Sequence, residues 1–359
     1  MRKTSARDGP DRGVRGFIHR RNWGLHGGGI VGKLRAGMGE VSSYANPLWP
    51  EAEWDVSGAF INGKELVAFF DFTKTVLGFE PFHVVHGAPL CLWNSGRVLK
   101  QLMRSDEEIR QAADAYASRG IAVYLTFSNL LLSEQHLKDC QGNDLCRLFE
   151  RHHPTGQNGV IVGSDLLREY VRREYPGLRC ISSILQVVNH GGKGRADVYR
   201  RLAEQYDEVM VHPDDVLNDS LLEGLEDKGR YTLLVNEYCI RNCPIRPFHY
   251  KSLSEQALNF LGYDGQEFER RQLNNGCRNL ARMLTEERLG VLALHTQELA
   301  HLYEMGFRRF KLQGRGHANA SSILFDLMRL AWRTDRPDEN VMHAVAQQFL
   351  EHLTSTLYS

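Results

Sequence analysis

With 359 residues, 42% hydrophobic and 25% charged, the chain can bury one large core or two ordinary ones, which excludes a largely disordered polypeptide. Lysine plus arginine and aspartate plus glutamate both total 44, so no overall field draws the molecule to nucleic acid or to an anionic membrane. No run approaches the roughly 20 apolar residues of a membrane span, and the N-terminus has no apolar signal core, so the expectation is a cytoplasmic protein with no membrane span.

Residues 1–45 carry nine lysines or arginines against three acids, include the run Gly27-Gly28-Gly29, and hold no apolar period. They read as a flexible basic N-terminal extension: an upstream segment ahead of a start at Met38, or an arm for an anionic partner. From about residue 54, short β-rich runs alternate with amphipathic stretches, the pattern of parallel strands joined by crossover helices. Strands are predicted near 56–61 and at 82–87, 121–127, 158–163, 179–186, 208–212, 231–237 and 307–312. The intervening helices are clear. Ser105-Asp106-Glu107-Glu108 opens one whose inner face is Ile109, Ala112, Ala113 and Tyr116, with acids in its first turn and Gly120 as its stop. Others run from Ser164 to Tyr175, Asp197 to Tyr206, Asp215 to Leu225, Thr296 to Met305 and Ala318 to Trp332.

Eight strands in a chain of this length suit an α/β fold, a (β/α)₈ TIM-like barrel over residues 46–335, followed by a C-terminal helix at 336–359. Residues 243–295 have no clear strand, and an insertion is expected around 244–295. An open doubly wound sheet is the alternative; against it, no Gly-x-Gly-x-x-Gly follows an early strand.

Active sites of such barrels collect at the C-terminal strand ends. Seven cysteines in a chain too long to depend on disulfides are buried fillers or metal ligands. Cys91 follows the strand at 82–87, Cys239 and Cys243 follow that at 231–237, and Cys277 lies in a polar turn that could fold over the same face. Cys140 and Cys146 fall in a helical or loop region and Cys180 begins a strand at the opposite end, so these three read as structural. The Cys-x-x-x-Cys spacing gains weight from its polar surroundings, Arg241, Asn242, Pro244 and Arg246. Radical SAM chemistry would need a cysteine where Arg246 stands. Zinc sites usually use two close pairs, whereas one pair with two distant single cysteines fits an iron-sulfur cluster better. His86, His190, His249 and His317 lie near strand ends and could replace a thiolate, and Cys91 with His86 or His190 would make a thiol nucleophile pair.

The last strand adds Lys311, Gln313 and Arg315 on one side. Such cations need anions: a carboxylate or phosphate of a ligand, Glu237, or an internal salt bridge closing the barrel. Gly314 and Gly316 allow either close approach of backbone to a ligand or a plain turn. Ser128-Asn129 and Asn189-His190-Gly191-Gly192 add polar groups after other strands. No Gly-x-Ser-x-Gly elbow, His-Glu-x-x-His helix or P-loop is present.

Gly87-Ala88-Pro89-Leu90-Cys91, Leu125-Thr126-Phe127-Ser128-Asn129, Asn236-Glu237-Tyr238-Cys239 with Cys243-Pro244 and His249-Tyr250, and Phe310-Lys311-Leu312-Gln313-Gly314-Arg315 occur in the order found in the U32 peptidase-like, or collagenase-like, superfamily. Between about residues 54 and 335 the chain resembles that group, most closely its members in oxygen-independent ubiquinone hydroxylation and RNA base hydroxylation. The resemblance implies a barrel whose four cysteines bind a 4Fe-4S cluster: Cys91, Cys239, Cys243 and, as fourth ligand, Cys277 with Cys180 as its rival. It implies an iron-sulfur oxidoreductase or hydroxylase acting on a small or carrier-bound substrate, with Glu237, Lys311 and Arg315 at the reaction site and the two cations orienting an anionic group. A cluster-free peptidase or hydrolase, and a non-catalytic cluster-binding subunit in a hetero-complex with a related barrel, are the alternatives. Balanced charge disfavours an RNA substrate, although the basic residues 1–35 keep one open.

Overall fold

The computed structural model describes residues 45–95, 104–259, 291–314, 320–334 and 349. The basic extension before residue 45, Cys277, Arg315, His317 and nearly all of 336–359 lie outside the described residues.

Eight parallel strands close into a barrel, as the alternation implied. After a short first strand, β1 (Ala45–Pro47), they are β2 (Glu53–Ser57), β3 (Val84–Gly87), β4 (Ala122–Phe127), β5 (Gly159–Val162), β6 (Arg179–Ser182), β7 (Glu208–Val211) and β8 (Tyr231–Leu234). The ring is completed by β11 (Arg309–Leu312), after a hairpin of β9 (Asn236–Ile240) and β10 (Val291–Ala293). Pairing of β11 with both β2 and β8 shuts the barrel. Alternation along each strand splits the side chains. Trp54, Val56, Val85, Val123, Leu125, Val160, Leu233, Phe310 and Leu312 join the outer core beneath the helices. Val84, Ala122, Tyr124, Ile161, Ile181 and Met210 form a separate cluster inside the barrel.

The crossovers are α1 (Gly63–Phe72), α2 (Asp106–Ala117), α3 (Cys140–Arg151), α4 (Asp165–Glu174), α5 (Ile184–Asn189), α6 (Ala196–Gln205), α7 (Asp219–Glu223), α8 (Arg246–Asn259), α9 (Thr296–Glu304) and α10 (Ser321–Ala331). On α2 the predicted inner face is the buried one, and Ser105 and Glu108 exchange the two hydrogen bonds of a capping box. A final strand, β12 (Trp332–Thr334), pairs with β1 and ties the two ends of the described fold together; Phe349 packs edge-on against Phe69. Among the described residues no helix is long and apolar enough to cross a membrane.

Several boundaries differ from the sequence reading. The first barrel strand ends at Ser57 instead of Ile61, because Gly58 turns the chain at φ +100°. The run 179–186 stops at Ser182, where Ser183 caps α5 with its hydroxyl. The run 231–237 breaks at Val235, and β9 leaves the barrel to pair with β10. A single helix from Asp215 to Leu225 is replaced by a 3₁₀ turn, Pro213–Asp215, and the short α7.

The excursion at 243–295 was expected to have no strand, yet it contains β10 and the long helix α8. Neither announces itself in sequence. β10 is three residues long, too short for alternation to register, and α8 buries Arg246, Ser252, Ser254 and Gln256 with Ala257, a face without an apolar stripe.

This polar helix roofs the barrel. At its start Arg246 pairs with Asp214 beyond β7. Two turns on, Ser254 bonds Ser95 after β3, and its oxygens accept from Leu130 N–H and the Asn129 amide after β4. Eight residues of helix cover about 12 Å, so α8 bridges opposite sides of the C-terminal mouth.

Candidate active site

The floor of the mouth is ionic. Asp55 on β2 is buried and receives Lys311 Nζ on one oxygen and faces His86 Nδ1 with the other, each at 2.6 Å. Burial alone would raise this carboxyl, but the charges and hydrogen bonds of His86 and Lys311 outweigh it and hold the pKa below its ordinary value. Lys311 therefore meets an internal anion, the third of the partners its position allowed.

One rim carries a second network. Asp214, at the end of β7, is held by Lys193 at 2.7 Å, Arg246 at 3.2 Å and the Asn242 backbone N–H at 2.9 Å. These donors outweigh burial and lower its pKa. His212 presents an unprotonated Nδ1 that accepts from Asp214 N–H at 3.2 Å, and burial together with the Arg246 charge lowers its pKa to about 4. Lys193 comes from the Gly191-Gly192-Lys193-Gly194 loop and also donates to the Asn242 side chain at 2.6 Å, fastening that loop to the β9 turn.

Beside Asp214 lie the candidate chemical groups. Cys239 on β9 and Cys243 in the following turn are neighbours, and the Arg246 guanidinium lies beside Cys239. Burial raises the Cys239 thiol pKa against the opposing pull of that guanidinium. Glu237 accepts from Gln313 Nε2 at 2.8 Å and from the Cys239 N–H at 3.0 Å, and burial raises its pKa. Burial likewise raises Tyr250, one turn along α8.

The structure brings together Cys239, Cys243, Glu237 and Gln313, and sets Lys311 beneath them in the barrel. Cys91 is placed apart. It packs in the outer core with Cys146 of α3, its pKa raised by burial and by Asp139, while its backbone N–H donates to Asn94 at 2.6 Å. Cys180 is fully buried at the start of β6, at the other end of the barrel. Among the described residues no group of three or more His, Cys, Asp or Glu side chains is arranged to hold a metal ion. A four-thiolate cluster thus finds two of its ligands adjacent, a third packed elsewhere, and a fourth, Cys277, outside the described residues. His86 is bound to Asp55 and His190 lies 3.2 Å from Asp165, so neither stands beside the Cys91 thiol as a base. Gly314 serves packing: a Cβ there would lie 2.3 Å from Ile323 of α10.

Arg246, Asp214, Asp55, His212 and Lys193 were not singled out as site residues. Asp214 and His212 carried a signal in His212-Pro213-Asp214-Asp215, polar residues directly after a barrel strand. Asp55 precedes the strand boundary assigned from sequence.

No family model matches the sequence, and no curated protein matches it. Among solved structures the chain is similar to one described as the U32 peptidase Mk0906, at 16% identity and a TM-score of 0.42, over 73% of this chain and 93% of that one.

Proposed function

We propose that the chain is a U32-like iron-sulfur enzyme whose reaction site is the rim formed by β9, its following turn and α8, and that it carries out a redox reaction, oxygen-independent hydroxylation being the class the sequence resemblance implies. The observation that carries the reading is the pair Cys239 and Cys243 at the barrel's C-terminal mouth, beside the buried Arg246. Two neighbouring thiols beside a buried cation suit the anionic sulfurs of a cluster ligand set. Cys239, Cys243 and Cys277 would hold a 4Fe-4S cluster, with Cys91 joining them only if its loop left the packing against α3. When bound, the cluster would supply electrons. Asp214 orients Arg246, Gln313 orients Glu237, and burial raises the Glu237 pKa, the direction that suits a proton donor at the mouth. The substrate is small or carrier-bound, Arg315 would orient its anionic group, and zinc is the alternative occupant of the thiols.

Protein purified without oxygen should show a broad band near about 400 nm with stoichiometric iron and sulfide. Cys239→Ala, Cys243→Ala and Cys277→Ala should each abolish both signals. Absence of iron and sulfide in the unaltered protein would sink the cluster. A cluster-free hydrolase is favoured by one observation, the packing of Cys91 beside Cys146, away from the other two thiols. It predicts turnover that survives chelation and oxygen but fails in Glu237→Gln.

A further inference from the structure

Two hydroxyls above the ionic floor are conspicuous. Ser57 on β2 is fully buried and Thr126 on β4 is 5% exposed, and among the described residues neither side-chain oxygen has a hydrogen-bond partner. Buried hydroxyls are nearly always bonded, because an unmade bond costs about 1–3 kcal/mol relative to water. Both lie at the catalytic end of their strands. Register puts Ser57 opposite His86 and His86 opposite Tyr124, so Thr126, two residues on, flanks β3 from the other side. Alternation turns Ser57 inward with Asp55, and Thr126 inward with Tyr124. Leu234, next to Lys311 in register, supplies an apolar wall.

We infer that Ser57 and Thr126, over Lys311, form a subsite that binds the carboxylate end of a small organic acid at the floor of the mouth. This deepens the proposed function by naming a substrate class for the same mouth. The chemistry follows from what the floor has left to give. Asp55 is the acid of this layer, and both its oxygens are engaged, one by Lys311 and one by His86. Glu237 and Gln313 above are bonded to each other, and among the described residues the side chains of this layer with bonds left to make are the two hydroxyls, which can donate. An oxygen acceptor satisfies them, and the positive charge of Lys311 favours an anionic one. Carboxylate oxygens accepting from Ser57 and Thr126 would complete the bonds that folding leaves unmade, beneath the α8 roof where such bonds are strong.

The test uses the full-length protein with acetate, propionate and benzoate as probes and benzamide as the neutral control, read by calorimetry and by thermal shift. At least one acid should bind saturably at or below about 10 mM, and benzamide at least tenfold more weakly than benzoate. Thr126→Val and Ser57→Ala should each weaken the acid about tenfold, whereas Thr126→Ser should bind as the unaltered protein does. Without probe, Thr126→Val should melt no lower than the parent, because the lost hydroxyl bonds none of the described residues. Failure of all three acids to bind, equal binding of benzamide, unchanged binding in both hydroxyl variants, or a marked fall in melting temperature for Thr126→Val would each overturn the subsite. Iron and sulfide content does not enter this readout, so loss of the cluster with carboxylate binding retained would reject the proposed redox function and leave the subsite standing.

Discussion

The two ends of the barrel solve the same problem in opposite ways. At the N-terminal end, Glu208 on β7 lies under β4, β6, β8 and β11 and is met from all four. Arg309 bonds it at 2.9 Å, Arg179 lies at 3.7 Å, Tyr124 donates at 3.3 Å, and Thr232 donates to its other oxygen. Arg309 is shared further with Glu53 at 3.0 Å, and Arg179 donates to the Tyr124 hydroxyl at 3.0 Å. At the C-terminal end the charges are also paired, but Ser57 and Thr126 have no side-chain partner among the described residues and the roof is a polar helix. A closed network spends its polar groups on the fold; an open one keeps them for something else. That contrast supports the proposed site at the mouth independently of any motif.

The largest effect should come from breaking the closed end. Glu208→Ala leaves Arg309 and Arg179 facing each other without the carboxylate they share, and should destabilise the fold by about 3–5 kcal/mol in denaturant unfolding. A loss near zero would mean the network is ornamental and the contrast between the two ends is false.

The next effect belongs to the rim and depends on pH. His212 has its folded pKa lowered from 6.5 to about 4. Between those values the unfolded chain binds a proton that the folded chain refuses, so stability rises with pH across the window and is lost as pH falls from about 6.5 to about 4. A shift of this size corresponds to about 3 kcal/mol. His83 is also lowered by burial and acts with the same sign, so the informative quantity is the difference between proteins. His212→Asn keeps an acceptor for the Asp214 N–H without a titrating ring, and its stability should fall less steeply over that window. Identical pH profiles would show that His212 is not held neutral by the rim.

How much of this was legible beforehand follows from the same contrast. Barrel strands such as 121–127 and 208–212 are apolar and regular, and packing on both faces leaves a strong trace in sequence. Lys311 was legible as a cation needing an anion, but its partner Asp55 lies 256 residues away and only barrel closure makes them neighbours. The roof was illegible because α8 buries arginine, serine and glutamine, which no apolar period reports. Cys91 shows the converse failure. Its place after a barrel strand was read correctly, but the direction of its side chain, outward to Cys146, depends on how Asn94 and Asp139 shape the loop.

The smallest effect should come from the most exposed member of the rim, and its smallness is informative. Lys193 contacts Asp214 at 2.7 Å but is 44% exposed, while Arg246, on the same carboxylate, is buried. Solvent screens the first pair and not the second, so Lys193→Ala should cost less than about 1 kcal/mol of stability. Arg246→Ala, which strips a buried partner from both Asp214 and Cys239, should cost several-fold more. Because Lys193 also ties its glycine-flanked loop to Asn242, its removal should speed proteolytic cleavage between Gly191 and Gly194 even where global unfolding is unchanged. Equal costs for the two variants would place Lys193 within the buried network and make the rim as closed as the Glu208 end; unequal costs with a loosened loop would make it an edge of the mouth held by a screened contact.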